Sequence, residues 1–347
     1  MKKIHYNQLY SFVEGVLAKC QLDDYSLNAV TIGLCETSLR GVDSHGVRLL
    51  HHYANSAING RKNPRPNFKI SNNYPSIAHL NSDDAFGHAA GMKAIDIGIE
   101  IADKQGVGIV AVSDSSHPGA MASMALKAAR QGYIAFAFTH ADALIKSHNG
   151  KRPYFGTNPI CFAAPREELD PYCLDMATSI VPWNRVLIHK SGNTLLNDSI
   201  AIDVEGNVTN DPNKAVGLLP VGSYKGYGLA SMIDILCGVY TGMAFGRNIP
   251  AMYKAKMNEQ RKLGQFYIVF KADGVISSEF FVQRLQEMTN EVRLEPSYDG
   301  EKVLLPGDKE IFESKERMVN GVPLDDDTVI KFTELSERLN VNLEFLN

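Results

Sequence analysis

Two short stretches of the chain concentrate groups that bind anions or move protons. In RGVDSHGVRLLHHY, Arg40 to Tyr53, the hydroxyl of Ser44, the imidazole of His45 and the guanidinium of Arg48 fall close together along the chain. That set suits a carboxylate, because arginine grips both oxygens through its planar fork and serine donates to one of them. A helix start, with Ser44 capping and Arg48 solvated, accounts for the same residues. In SDSSHPG a single histidine, His117, sits among small polar residues after an apolar run. An imidazole gives and takes protons near neutral pH, so His117 is the candidate acid/base; the alternative is a histidine that only ties down its own turn.

A third constellation, GSYKG from Gly222 to Gly226, leads from a glycine loop into a helical pattern. Backbone N–H groups there can approach an anion and Lys225 adds charge, although a plain loop-to-helix junction fits as well. The Walker A spacing is missing and no G-x-G-x-x-G follows a strand, so a bound dinucleotide would be held without the Rossmann fingerprint. Asp175, Thr178 and Ser179 either close around a ligand or cap the next helix. Cys161, in apolar surroundings, reads as an inert buried thiol. His45, His117 and Asp142 lack the local spacing of metal ligands, and no metal is expected.

The elements that must position these groups follow from periodicity. Leu9, Phe12, Val13, Val16 and Leu17 form one helical face and Leu27, Val30, Leu34 and Leu39 another, with Gly41 as a stop. A third helical pattern runs from Val47 to Ile58, and the proline-broken GRKNPRPNF then marks a domain boundary. A helix carrying Met92, Ile95, Ile99 and Ala102 precedes the strand VGIVAV; AMASMALKAARQG resumes helical spacing and YIAFAFT reads as a second buried strand. His117 thereby lies at the carboxyl end of the first strand of a β-α-β unit, where open α/β sheets bind ligands. GQFYIVF reads as a strand, EFFVQRLQEMTNEV as a helix, VLLPGDKE as a loop and the terminus as a charged helix.

With 347 residues the chain exceeds one typical domain, and its 44% hydrophobic and 21% charged residues are ordinary globular usage. A net charge of −4 argues against general affinity for nucleic acid or anionic membranes. The five cysteines form no C-x-x-C pair, so no disulfides and a cytoplasmic location are expected; MKKIHYNQLYSF lacks the apolar run of a secretory signal. GYGLASMIDILCGVYTGMAFG approaches membrane-spanning length, but Asp234 in its middle makes a buried core helix the expectation.

Taken in order, RGVDSHGVRLLHHY, SDSSHPGAMASMALKAARQGYI, GTNPICFAAP, DMATS, LLPVGSYKGYGLASMIDIL, FGR with a following MY, and LPGDKE make the chain similar, over nearly its whole length, to the type-2 malate/L-lactate dehydrogenase family. Its KGYGL-x-x-MID-x-L-x-G pattern resembles ureidoglycolate dehydrogenases in particular. The resemblance implies an α/β, non-Rossmann fold of the L-sulfolactate/malate dehydrogenase kind. A helical substrate-side region (1–68, joined by 290–347) would accompany a mixed-sheet cofactor domain (69–289). It implies hydride transfer between NAD or NADP, with NAD preferred, and a small 2-oxo/2-hydroxy carboxylic acid, in a homodimer. Alternatives are action on ureidoglycolate, a cyclic-imine carboxylate reductase of the same fold, or a non-catalytic nucleotide-binding protein.

By the same resemblance His117 is the proton donor, Ser44 and His45 bind substrate with Arg48, and Asp175, Met176, Ala177, Lys225, Gly307 and Asp308 contact cofactor. Three departures stand out: Arg48 comes three rather than four residues after His45, Asn184-Arg185 replaces a glycine-lysine, and Ser147 to Gly150 read SHNG.

Overall fold

The computed structural model describes residues 2–167, 170–196, 199–298 and 300–343. Its centre is a mixed seven-stranded sheet in the order Lys69–Tyr74, Ile77–Asn81, Val107–Ser115, Leu263–Lys271, Tyr133–Thr139, Ile160–Ala164, Tyr172–Met176. Helix Ala122–Ala129 links Val107–Ser115 to Tyr133–Thr139, as the β-α-β pattern predicts, but those strands do not pair. Leu263–Lys271 lies between them, antiparallel to both, with Gln265 opposite Val112 on one side and Thr139 on the other. A strand in that place must be apolar on both faces, and Leu263, Phe266, Tyr267 and Val269 are all buried.

Helices Gly87–Gln105 and Ala122–Ala129 cover one face of the sheet, with Asp24–Leu39 layered outside them. Tyr6–Lys19 packs on Asp24–Leu39, and the C-terminal elements return to it: Lys2–Ile4 pairs with Val322–Leu324, and Phe12 meets Phe332 at 4.9 Å between ring centroids. One continuous apolar core joins these helices to the sheet. VLLPGDKE is not wholly a loop, because Asp308 opens a helix, Asp308–Asn320, behind Gly307 at φ +92°. A smaller five-stranded sheet, built from residues 145–218, carries helix Trp183–Ser191 against its own cluster of Val181, Val186, Leu196 and Leu218.

The apolar run after GSYKG forms helix Tyr224–Asp234, continued by a wide π turn through Val239. The expectation of a buried core helix holds for one face only. Ile233 and Cys237 pack on Phe138 and Phe266 of the sheet, whereas Ile235, Val239 and Tyr240 are exposed. Asp234 is buried and accepts the Gly246 N–H at 2.9 Å and the Asn158 amide at 3.3 Å, which accounts for a charge inside an apolar helix. The helix approaches the central strand so closely that a Cβ at Gly264 would lie 1.7 Å from the Cys237 carbonyl oxygen. Among the described residues no helix is long and apolar enough to cross a membrane.

Candidate active site

Three strands end at a common cavity of about 1280 Å³: Val107–Ser115 delivers His117, Tyr133–Thr139 delivers His140, and Tyr172–Met176 delivers Asp175, Met176 and Ala177. The other walls come from the Ser44–His45 turn, helix Trp183–Ser191, the 249–254 segment with Arg261, and Pro306 to Glu310.

His117 is held from beneath. Fully buried Gln265 donates to Ser115 Oγ at 2.8 Å and to the Gly87 carbonyl at 3.2 Å, and itself accepts the Tyr267 hydroxyl at 2.5 Å. The loop rests on the start of helix Gly87–Gln105, where a Cβ at Gly87 would come within 2.2 Å of the Ser116 carbonyl oxygen. The Tyr53 hydroxyl lies 2.8 Å from His117 Nδ1 and 3.1 Å from the His117 carbonyl oxygen, and the Gly119 N–H reaches Nδ1 at 3.3 Å. These contacts occupy Nδ1 and leave Nε2 as the nitrogen available for chemistry. His45 stacks against His117 with centroids 5.6 Å apart and planes 24° apart, while the Ser44 hydroxyl sits 2.8 Å from His45 Nδ1.

The electrostatics favour neutral imidazoles. Desolvation drives His117 well below the usual 6.5, and its neighbours His45, Arg261, Lys62 and His88, each positive when protonated, push in the same direction. Burial takes His45 down to about 4 and His88 to about 3. Asp175 moves the other way, to about 6, because it is desolvated within the cavity even though the cavity leaves its side chain open; the Ala122 N–H, at 2.8 Å, opposes that rise.

The sign for stability follows directly. Histidines whose folded values lie below their unfolded ones stabilise the fold fully above pH 6.5, and that contribution is lost as pH falls and the unfolded state takes up protons first. Melting curves are therefore expected to show stability dropping between about pH 6.5 and 4, by a few kcal/mol at about 1.4 per pKa unit for fully buried His88 alone. A flat melting temperature across that window would contradict the neutral-histidine assignment.

Of the residues that the resemblance assigns to proton transfer, substrate or cofactor, Ser44, His45, His117, Asp175, Met176, Ala177 and Gly307 line the cavity. Three do not. Val47 and Leu49 are buried in the short turn Val47–Leu49, so Arg48 between them points elsewhere, its guanidinium 3.4 Å from Asp325 and 3.9 Å from Asp327. Lys225 is solvent-exposed outside the cavity, and GSYKG forms a loop-to-helix junction in which Ser223 adopts φ +58°. Asp308 is turned into the protein, 2.8 Å from Arg293 and 3.4 Å from Arg166.

The capping alternatives fall away for Ser44, Thr178 and Ser179, whereas Asp175 accepts the first N–H of helix Ala122–Ala129 rather than of the helix that follows it. Ser44 bonds His45 rather than a helix N–H, and Thr178 and Ser179 bond the carbonyls of Thr157 and Val181. Cys161 is fully buried, and among the described residues no His/Cys/Asp/Glu cluster could hold a metal.

Several residues of the site escaped notice in the sequence, Tyr53 and Arg261 foremost among them. Tyr53 closes the same RGVDSHGVRLLHHY stretch, and its helical spacing from Val47 and Leu50 made it look like core alone. Arg261 lies in the aperiodic segment MNEQRKLG and carries no sequence signal, yet it is 3% exposed and lines the cavity. It donates through Nε to the Pro250 carbonyl at 2.9 Å and through Nη2 to Asp142 at 2.5 Å, so Nη1 is the corner of the fork these bonds do not use. Asn184, one of the departures noted above, donates to the Ser44 carbonyl at 3.0 Å and ties helix Trp183–Ser191 to the opposite wall.

Residues 4–333 match the family model described as malate/L-lactate dehydrogenase. The chain is 33% identical over 326 residues to a ureidoglycolate dehydrogenase (NAD(+)) of Escherichia coli K12, covering 94% of this chain and 93% of the relative. It is 32% identical over 350 residues to a malate dehydrogenase of Pyrococcus abyssi, covering 98% and 95%. The structure superimposes on the crystal structure of malate dehydrogenase from Entamoeba histolytica with a TM-score of 0.93, 27% identity and 99% of each chain covered. With its site geometry and these likenesses together, the chain belongs to the malate/L-lactate dehydrogenase family and is an oxidoreductase of the dehydrogenase type.

Proposed function

We propose that the protein transfers hydride between a nicotinamide cofactor and a small 2-oxo/2-hydroxy carboxylic acid, with His117 moving the proton. The observation that carries this is the placement of His117, its Nδ1 engaged by Tyr53 and its Nε2 left for a ligand, on the wall of a cavity that also holds Arg261 and Ser44. A dinucleotide fits the residues present. The cavity exceeds the roughly 300–1,000 Å³ of ordinary small-molecule sites, and the wall running from His117 to Asp175 is lined by the small residues Gly119, Ala120 and Ala122.

When bound, the cofactor supplies or accepts the hydride. The chain's own groups do the rest. The Tyr53 hydroxyl has two acceptors within reach, so it can donate to Nδ1, or accept from an Nδ1–H while donating to the His117 carbonyl. In the second arrangement, which gives up the long Gly119 N–H contact to Nδ1, Nε2 is bare and takes the proton of a substrate hydroxyl; with both nitrogens protonated, His117 returns it to the oxygen of a reduced 2-oxo group. His45, its Nδ1 beside Ser44, presents Nε2 to the same oxygen. Arg261 replaces Arg48 as the proposed carboxylate partner, through Nη1.

NAD is the proposed cofactor in preference to NADP. Asp175 and Glu310 are both carboxylates lining the cavity, so a 2′-phosphate beside them meets like charge, and the E. coli relative is named for NAD(+). The two parts share the site: 1–68 supplies Ser44 and His45, 69–289 supplies His117, Arg261 and Asp175, and 290–347 supplies Gly307 and Glu310. The exposed apolar stripe of Ile235, Val239 and Tyr240 supports a homodimer, which light scattering would report as twice the chain mass. The five free, buried cysteines support a reducing, cytoplasmic setting.

The test is fluorescence titration with NADH and NADPH followed by a panel of 2-oxo acids. Tighter NADH binding with oxidation of NADH by at least one 2-oxo acid is expected; cofactor binding without reduction of any acid would leave a non-catalytic nucleotide-binding protein instead.

A further inference from the structure

Behind His117 lies a lysine that the fold does not explain. Lys62, in the connection after helix Leu50–Ile58, is 2% exposed, and its Nζ has no hydrogen-bond partner among the described residues. Its neighbour Arg61 is used in full view of the fold, donating to the carbonyls of Met252 at 2.9 Å and of Ala255 and Lys256 at 2.6 Å. Lys62 instead places its amine 3.3 Å from the centroid of the Tyr53 ring and 4.8 Å from that of Phe86. A cation over an aromatic face recovers part of its lost hydration, but a buried amine without a hydrogen bond is a net cost to the fold. An apolar side chain of similar length would fill the same space without that cost.

The same Tyr53 ring carries the hydroxyl that contacts His117 Nδ1. We propose that Lys62 is a further positioning residue of this site: its buried, unpartnered amine, seated on Tyr53, keeps His117 from holding a second proton until an anionic substrate enters. This rests on the assignment of His117 as the proton-moving group.

The surroundings are one-sided. Helix Leu50–Ile58 contributes His52 and Tyr53, the connection Arg61, helix Gly87–Gln105 His88, and the Ser44–His45 turn His45. Arg261 and Tyr253 come from the far wall; the carboxylates that reach this group, Asp142 and Glu259, act on Arg261 and Arg61. Groups that become positive on protonation thus crowd His117 beside the fixed charge of Arg261 and without a carboxylate of its own, and burial together with Arg261 and Arg61 disfavours the charge on Lys62 as well. Lys62 and His117 compete for protons, and a substrate carboxylate is the missing counter-charge.

The experiment compares the wild-type protein with Lys62→Met. His117 is followed by nitrogen-15 NMR in the free protein, its signal identified by its loss in His117→Gln, and the pH profile of kcat/KM for hydroxy-acid oxidation is measured alongside. In Lys62→Met, the His117 titration and the acid limb of the profile are expected to move up by about one pH unit, with the melting temperature kept or raised. Lys62→Gln serves where Lys62→Met does not fold. An unmoved His117 titration in a folded variant overturns the proposal. The NMR arm needs no turnover: a shifted titration in a protein inactive on every acid refutes the dehydrogenase function while upholding the role of Lys62.

Discussion

Replacing His117 with alanine is expected to reduce turnover by about 10²- to 10⁴-fold, the range that a positioned acid/base supplies, while NADH affinity stays within about threefold. The two effects separate because His117 is the proposed proton carrier, whereas Asp175, Met176 and Ala177 line the cavity from a different strand end. Stopped-flow measurement of hydride transfer in His117→Ala, with NADH binding followed by fluorescence, checks both. Turnover at the wild-type rate would remove His117 from the chemistry. Loss of cofactor binding would instead mean that the 116–119 loop, held by Gln265 and Gly87, collapses when the ring is removed.

The second large effect concerns two arginines. Arg261→Met is expected to raise KM for the acid and lower kcat/KM by about 30-fold or more, since truncating one partner of a buried, hydrogen-bonded charge pair costs about 2–5 kcal/mol. Part of that loss comes from Asp142, left without its guanidinium. The double variant with Asp142→Asn separates the two terms in a double-mutant cycle. Arg48→Ala is expected to change kcat/KM by less than about threefold, because Arg48 is partly exposed and its interactions are long contacts to Asp325 and Asp327. The opposite ranking, a large effect at Arg48 and a small one at Arg261, would return the carboxylate to Arg48 and reverse the assignment made from the cavity.

Periodicity and local chemistry gave the alternation of helices and strands, the buried cysteines and the polar turn of Ser44 and His45 without any tertiary information. His117 was legible for the same reason: a titratable ring after an apolar strand and before a helix is placed by local sequence at a strand's carboxyl end. What local sequence cannot encode is the partner brought from far along the chain. The strand Leu263–Lys271 enters between two strands that helix Ala122–Ala129 links, and with it come Gln265 beneath the His117 loop and Arg261 at the cavity wall. Neither side chain has a signature, since each depends on residues more than a hundred positions away.

Direction is equally a tertiary matter. Arg48, Lys225 and Asp308 have the right chemistry and stand close in sequence to lining residues or glycine turns, but Arg48 is turned out by the burial of Val47 and Leu49, and Asp308 is turned in by Arg166 and Arg293. Lys225 stays in solvent on a helix whose other face is pinned to the sheet. Residue types and their periodicity set which groups are available and the order of the elements carrying them. Which of those groups share one cavity is settled by packing, because a side chain's direction is set by what the rest of the chain buries around it.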